Sequence, residues 1–181
     1  MRMGIMIVAW GWALMMSAQT LVKSDSVMVP DSVIVADSVI VPDSVIVAED
    51  FEAVTADGQE MRLSDLPTGR LTVLVFFDPD CSACRQALFG LRHSSLVNQL
   101  IEEQVLQVMT VHVGYEERLW REMLADIPET WVRTTAKSEM RDSKCYDLSS
   151  LPALYLLDAD RKIMMRGYYA EQLTDVLTKL W

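Results

Sequence analysis

The sequence LTVLVFFDPDCSAC, residues 71–84, decides the fold. Residues 71–77 are a continuous apolar run rich in β-branched side chains, which predicts a strand buried on both faces. Residues 78–80 end that strand, and the Cys-x-x-Cys at 81–84 opens a segment with apolar residues at three- and four-residue steps, typical of an amphipathic helix. The sequence therefore predicts a β-α-β unit with the cysteine pair at its strand-to-helix turn.

Further elements are predicted on both sides of this unit. Phe51–Thr55 and the turn Asp57-Gly58 indicate a short strand and a hairpin before it, and residues 137–147 are expected to form a short helix and a loop. The other predicted elements are Val105–Val113 (strand), Glu116–Leu124 (helix), Ala153–Leu157 and Lys162–Arg166 (strands) and Glu171–Leu180 (helix). The order β-α-β-α-β-β-α predicts an α/β fold, a mixed β-sheet with helices on both faces.

A Cys-x-x-Cys at the start of a helix has a specific chemical use. The helix N-terminus carries unpaired amide donors and the positive end of the dipole, which stabilise a thiolate. Cys81 is expected to be the exposed attacking sulfur, and Cys84, one turn later, the thiol that resolves a mixed disulfide. Asp78 and Asp80 disfavour a thiolate by like charge, and Arg85 is placed to offset them. A static disulfide or an inactive remnant is the alternative for this pair.

Residues from about 50 to 181 resemble the thioredoxin-like superfamily, and among it the exported TlpA-like thiol–disulfide oxidoreductases. The similarity rests on three segments. Asp57-Gly58 with LSDL at 63–66 is similar to the family's approach to its first central strand. LVFF at 74–77 through CSAC at 81–84 matches the strand, loop and active site, and LPALYLLD at 151–158 resembles the later strand that opens with a cis-proline.

The resemblance implies a redox disulfide between Cys81 and Cys84, which would be the catalytic residues. It also implies that Leu151 and Pro152 lie beside the dithiol, where their backbone would pair with an extended substrate segment. Neither a metal nor a cofactor is expected. The chain departs from the family at Asp80, where many relatives carry Trp, and at Val75, where thioredoxins proper place a buried carboxylate as proton acceptor; both departures affect the tuning of the pair.

The third cysteine, Cys145, has no close partner in sequence. It is interpreted as a small buried apolar residue, with a third redox thiol or intermolecular pairing as alternatives. His93, in the first predicted helix, and His112, in the second buried strand, are interpreted as structural. A zinc site is disfavoured, because these three residues and the cysteine pair do not form two tight ligand pairs.

The first 48 residues differ in pattern from the rest. Residues 1–18 are predicted to be a signal peptide: Arg2 gives a positive start, Gly4–Met16 is uncharged and apolar, and small residues precede residue 19. This run is shorter than the roughly 20 apolar residues of a spanning helix, so no stable membrane span is expected after cleavage. An uncleaved anchor or a buried N-terminus is the alternative. Residues 19–48 are predicted to be a spacer, and residues 49–181 the thioredoxin-like domain.

The spacer contains four tandem hexapeptides, DSVMVP, DSVIVA, DSVIVP and DSVIVA, at residues 25–48. Their alternating apolar side chains have β propensity, but Pro30 and Pro42 interrupt any long ladder. Four units without glycine turns are too few for a solenoid. A partly extended spacer is favoured, and a strand that adds to a partner or to the domain's own edge is the alternative.

The charge excludes one class of function. A formal net charge of −10 and a pI of about 4.6 argue against binding to nucleic acid. The leading hypothesis is a thiol–disulfide oxidoreductase of the periplasm or cell envelope, whose partners are protein disulfide substrates and a redox partner protein. The alternative is a non-catalytic binding or scaffold protein with a thioredoxin fold. Thiol peroxidase chemistry is a third option, without the Pro/Thr-containing approach to the cysteine that is usual there.

Overall fold

A computed structural model describes residues 44–137, 140 and 143–181, which belong to one compact unit. The predicted signal peptide and the first three hexapeptides lie outside these residues. The strands are β1 (Glu52–Thr55), β2 (Glu60–Arg62), β3 (Leu71–Phe77), β4 (Leu106–His112), β5 (Val132–Ala136), β6 (Ala153–Leu157) and β7 (Ile163–Gly167). The α-helices are α1 (Ser82–His93), α2 (Ser95–Glu102), α3 (Glu117–Met123) and α4 (Ala170–Leu180). None of the helices described is long and apolar enough to cross a membrane.

The described strands form a mixed seven-stranded sheet in the order β2-β1-β5-β4-β3-β6-β7. β3 lies in its interior, parallel to β4 and antiparallel to β6. The parallel register runs from Leu71 opposite Leu106 to Phe77 opposite His112. Two hairpins, β1–β2 and β6–β7, form the edges. The predicted α/β fold, a mixed sheet with flanking helices, is confirmed.

The two faces of the sheet are covered differently, and all four described α-helices lie on one of them. On one face, the odd-numbered side chains of β3 pack against α1, α2, α3 and α4. On the other face, the even-numbered side chains of β3 are covered by a 3-10 helix, Leu63–Asp65, and by irregular segments that carry Phe51 and Tyr146. Because successive strand residues point to opposite faces, both faces of β3 are buried, which explains why every residue of the strand except Thr72 is apolar.

Two elements differ from the sequence prediction. No strand is predicted at β5, because its sequence VRTTA is polar; its buried Thr134 hydroxyl donates to the Thr110 carbonyl at 2.9 Å. The helix expected to continue from the cysteines is two helices, because Ser94 ends α1 and caps α2 by accepting from the Val97 amide at 3.3 Å. Within the predicted helix and loop at 137–147, residues 138, 139, 141 and 142 lie outside the described part of the chain.

The end of the fourth hexapeptide lies along the edge of β7. Val47 forms an antiparallel bridge with Lys162. The Ala48 amide donates to the Arg161 carbonyl, and the Ile163 amide donates to the Ile46 carbonyl, both at 2.8 Å. Of the two interpretations of the repeats, addition to the domain's own edge therefore applies to this repeat.

Candidate active site

Cys81 and Cys84 lie at the turn between β3 and α1. Cys81 is the N-cap of α1, and its sulfur accepts a hydrogen bond from the Cys84 amide at 3.1 Å. This bond satisfies one of the amide donors that the start of a helix leaves unpaired. Both residues are free thiols; the Cys81 side chain is partly exposed, whereas Cys84 is completely buried. The turn thus presents one sulfur to solvent and holds the second within one helical turn.

The Asp78-Pro79-Asp80 turn holds the pair in place. The Asp78 carboxylate accepts from the Asp80 amide at 2.9 Å, and the Asp78 carbonyl accepts from the Cys81 amide at 3.1 Å. Arg85 donates from Nη1 to the Pro79 carbonyl. This contact brings the positive charge of Arg85 to the turn that carries the two carboxylates.

A second segment, Leu151-Pro152, is 70 residues away from Cys81 in sequence but close to it in the structure. The peptide bond between the two residues is cis. The Cys81 thiol donates to the Leu151 carbonyl at 3.5 Å. Pro152 is buried directly before β6, whose first residue, Ala153, pairs with Phe76 near the end of β3. The Leu151 carbonyl therefore lies beside Cys81, and the cis-proline follows it in the chain.

Burial raises the pKa of the Cys84 thiol above its usual value. A backbone hydrogen bond at Asp78 acts in the opposite direction, whereas the hydrogen bond and charge of Cys81 and the charge of Asp78 raise the pKa further. Because the thiolate is the nucleophilic form, this raised pKa favours the protonated, less reactive form of Cys84 in the reduced site.

Sequence reasoning missed that Asp78 and His112 lie close together. His112 is buried at the end of β4, with its ring stacked on Trp120 at 5.8 Å between centroids. Asp78 Oδ2 and His112 Nε2 each lie 2.7 Å from the position that a Cβ atom would take on Gly114. Any larger residue at 114 would collide with both groups. The predicted β-α-β unit could have indicated this proximity. It makes β3 and β4 parallel, and parallel strands bring the residues at their carboxyl ends to the same edge of the sheet.

Cys145 and His93 do not join this arrangement. The Cys145 sulfur accepts from the Glu49 amide at 3.4 Å, with the Val47 carbonyl oxygen 3.8 Å away. The prediction that Cys145 is buried is wrong, because the residue is partly exposed. Its loop lies against the backbone of residues 47–49, at the margin of the core on the face of the sheet that carries Phe51 and Tyr146. His93 is exposed at the end of α1, with Nδ1 2.8 Å from the Phe89 carbonyl oxygen.

The cavity beside Phe51 and Tyr146 does not include the dithiol. A cavity of about 480 Å³ opens beside Phe51 and Tyr146, and neither cysteine of the pair lines it. Its wall carries charges of both signs, including Glu52 with its partners Arg62 and Lys137. Within residues 44–137, 140 and 143–181, no group of three or more His, Cys, Asp or Glu side chains is arranged to hold a metal ion. The cysteine pair therefore lies at the turn between β3 and α1, outside this cavity.

Comparison with known proteins gives a family and a set of similar folds. The sequence profile of the AhpC/TSA family matches residues 47–166, a span that contains the dithiol and Pro152. No curated protein matches the chain in sequence. A thioredoxin-like protein from Bacteroides caccae is 26% identical with a TM-score of 0.68, over 72% of this chain and 47% of that one.

Two further solved structures cover the domain almost completely. A conserved protein of unknown function from Bacteroides fragilis is 29% identical with a TM-score of 0.67, over 73% of this chain and 96% of that one. The thioredoxin domain of a thiol–disulfide oxidoreductase from Bacteroides vulgatus is 19% identical with a TM-score of 0.64, over 75% and 95% of the two chains.

The family profile and the similar structures agree with one another and with the observed fold. The chain spans about half the length of the Bacteroides caccae protein, so the likeness concerns the domain that the two share. The likeness to the Bacteroides vulgatus domain supports the fold. The family profile extends from the end of the repeats through β7. The chain therefore belongs to the AhpC/TSA family and has a thioredoxin-like fold.

Proposed function

We propose that this protein reduces or exchanges protein disulfides through Cys81 and Cys84. The observation that carries the proposal is the contrast between two sulfurs one helical turn apart. Cys81 is partly exposed at a helix N-terminus, whereas Cys84 is buried beneath it and protonated. The exposed position of Cys81 suits a macromolecular substrate, because a bulky disulfide can reach a surface turn without entering a cavity.

The reaction transfers two electrons in two exchange steps. The Cys81 thiolate attacks one sulfur of the substrate disulfide; a mixed disulfide forms, and the other substrate sulfur leaves as a thiolate that takes a proton. Cys84 then loses its proton and attacks the Cys81 sulfur, forming the Cys81–Cys84 disulfide and releasing the second substrate thiol. A dithiol of a redox partner protein returns two electrons and two protons to the pair. The reverse sequence oxidises a substrate dithiol.

Leu151 and Pro152 are the proposed substrate-binding residues. The Leu151 carbonyl oxygen lies 3.5 Å from the Cys81 sulfur. An extended substrate segment that pairs with this stretch of backbone brings its own sulfur next to Cys81. Pro152 donates no amide hydrogen bond of its own, which leaves the recognition to the neighbouring backbone groups.

Reduction of insulin disulfides tests the redox function. Cys81→Ser should abolish the activity, because it removes the attacking sulfur and keeps a hydroxyl that can still cap α1. Cys145→Ser is the matched control, since this thiol lies in another loop, and it should leave the rate unchanged. Equal activity of wild type and Cys81→Ser would contradict the proposal.

Trapping of substrates tests the role of Cys84. Cys84→Ser should accumulate mixed disulfides on Cys81, because the second exchange step is lost. These adducts should be released by dithiothreitol and be missing from the Cys81→Ser/Cys84→Ser double variant. A variant that traps nothing, in a protein whose wild type shows no dithiol titration, would favour the non-catalytic scaffold.

Peroxide reduction is the competing chemistry. The Cys-x-x-Cys spacing favours disulfide exchange, because the resolving thiol is already within one turn of Cys81. Stopped-flow mixing of the reduced protein with hydrogen peroxide separates the two reactions. Oxidation no faster than that of a free thiol supports disulfide exchange, and a rapid saturating burst would identify a peroxidase.

Export of the chain and cleavage of a signal peptide are also part of the proposal. Their support is the sequence of residues 1–18, with its positive start and uncharged apolar run. An envelope location suits a pair that cycles between dithiol and disulfide. Mass spectrometry of the mature N-terminus after cell fractionation tests it: a cleaved chain in the envelope fraction is expected, and a full-length chain in the cytoplasm would contradict it.

A further inference from the structure

The edge of β7 holds the fourth hexapeptide through its backbone. Two hydrogen bonds, Ala48 N–H to Arg161 O and Ile163 N–H to Ile46 O, flank the bridge at Val47. The Val47 side chain remains 58% exposed, whereas Ala48 is only 7% exposed. The edge therefore recognises an extended backbone that carries a donor N–H and a small side chain at the sixth position of the repeat.

The sixth position divides the four hexapeptides into two kinds. It is Pro30 in the first, Ala36 in the second, Pro42 in the third and Ala48 in the fourth. Proline has no backbone N–H, so the first and third repeats cannot donate to Arg161 as Ala48 does. The second repeat, DSVIVA at 31–36, is identical to the fourth at 43–48 and can make every contact that lies within the repeat.

We propose that the edge of β7 is a binding site for the sequence DSVIVA, and that the second hexapeptide of the same chain is its second ligand. In this arrangement Ala36 takes the place of Ala48, and Ile34 the place of Ile46. The domain can then be held at two positions of its N-terminal segment. The inference is independent of the redox chemistry proposed for Cys81 and Cys84.

Chain connectivity decides between a repeat of the same chain and one from another copy. With the second repeat bound, residues 37–48 form a loop of 12 residues that rejoins the domain at Glu49. The entropic cost of closing such a loop rises only slowly with its length, whereas a second copy would lose translational and rotational freedom. The fourth repeat needs no loop and is therefore the main occupant. The second repeat binds when the fourth is displaced, which keeps the edge of the sheet covered.

Hydrogen exchange of the Ile163 amide tests the proposal in the full-length protein, because this amide donates to the bound repeat. Ala48→Pro removes the donor of the fourth repeat, and Ala36→Pro removes that of the second. Ala36→Pro alone should exchange like wild type. Ala48→Pro should retain protection at least about ten-fold above that of the Ala36→Pro/Ala48→Pro double variant. Any local damage from proline at 48 is common to both variants, so their difference reports the second repeat alone.

Two results would overturn the proposal. If the Ile163 amide exchanges equally fast in Ala48→Pro and in the double variant, the second repeat does not bind the edge. If the protection in Ala48→Pro grows with protein concentration, the bound repeat comes from another copy of the chain. Protection that exceeds that of the double variant and is unchanged on dilution supports binding within one chain. Insulin reduction should be the same in all variants, so a failure here is distinguishable from a failure of the redox proposal.

Discussion

Cys81 and Cys145 have similar immediate contacts. Each is a partly buried free thiol. Each sulfur accepts a backbone amide, at 3.1 Å for Cys81 and 3.4 Å for Cys145, and lies 3.5 Å and 3.8 Å, respectively, from a carbonyl oxygen. If local hydrogen bonding determined thiol chemistry, the two residues would behave alike.

Their wider surroundings differ. Cys81 caps a 12-residue helix, and a buried thiol, Cys84, follows one turn later. Cys145 lies in a loop against residues 47–49, next to the buried ring of Tyr146. The comparison teaches that a helix terminus and a second thiol one turn away distinguish Cys81 from Cys145. The redox role proposed for Cys81 and Cys84 rests on these two features.

The strongest way to sharpen the comparison is to measure the reactivity of each thiol. In the reduced native protein, iodoacetamide should alkylate Cys81 at least about 100-fold faster than Cys84, because only the thiolate reacts and burial excludes the reagent. Cys145, partly exposed like Cys81 but without a helix terminus, should react at an intermediate rate. Site-resolved mass spectrometry measures the three rates, and denaturation should make them equal. Similar rates for Cys81 and Cys84 in the native protein would contradict the assigned roles.

The second test concerns the charge beside Cys84. Burial is the main cause of the raised pKa of the Cys84 thiol, and the negative charge of Asp78 adds to it. Asp78→Asn keeps an oxygen for the Asp80 amide and removes the charge, so resolution of a mixed disulfide near neutral pH should accelerate by about two- to five-fold. Rapid mixing with a chromogenic aromatic disulfide follows this step. Asp80→Asn is the matched control on the exposed side of the turn and should change the rate less.

The opposite result for Asp78→Asn would be equally informative. Slower resolution would indicate that the Asp78 carboxylate accepts the proton from Cys84. Acceleration is the expected result, and a loss of rate would contradict a purely electrostatic effect of Asp78 on Cys84.

A third test changes the Cys145 region. The Tyr146 hydroxyl donates to the Glu49 carbonyl at 2.6 Å and thereby ties the loop of Cys145 to the segment that follows the repeats. Tyr146→Phe should lower the free energy of unfolding by about 1 kcal/mol, the usual net contribution of one hydrogen bond. Insulin reduction should be unchanged. Denaturant unfolding measures the first effect, and a parallel loss of activity would show that the two regions are coupled.

The smallest expected effect concerns Asp147, which lies between Cys145 and Leu151 in the sequence. A hydrogen bond from Ser149, together with Arg166 2.9 Å away, lowers the pKa of Asp147 to about 2. Because the folded pKa lies below the unfolded value of about 3.9, Asp147 stabilises the folded state above pH 4, and this contribution is lost as the pH falls towards 2. Asp147→Asn should therefore flatten the decline of the melting temperature between pH 4 and 2. An unchanged slope would contradict the assignment.

The sequence predicts most of the fold because its central strands are buried on both faces. β3 and β6 have the predicted bounds, since uninterrupted apolar runs leave little freedom in placing their ends. β5 is not predicted, because it has no apolar pattern. Its polar Thr134 can be buried because the hydroxyl makes a hydrogen bond. The break at Ser94 also escapes, because apolar spacing continues across it while the serine caps the next helix.

The part of the site whose residues are neighbours in sequence can be predicted, whereas contacts between residues distant in sequence cannot. The strand, the turn and the pair at 81–84 adjoin in sequence, and family resemblance adds Pro152. The approach of Asp78 to His112 requires the register of β3 with β4. The fourth repeat binds the edge of β7 through backbone hydrogen bonds, which cannot be predicted from the pattern of side chains in the sequence.

The most direct test of the central claim is a redox titration of the Cys81–Cys84 pair. The protein is equilibrated in thiol–disulfide buffers, quenched by acid and alkylated, and the state of each cysteine is read by mass spectrometry. A single two-electron transition of Cys81 with Cys84 is predicted, between roughly −270 mV and roughly −120 mV. It should be unchanged in Cys145→Ser. A pair that does not titrate in this range, or a disulfide that involves Cys145, would contradict the redox role of Cys81 and Cys84.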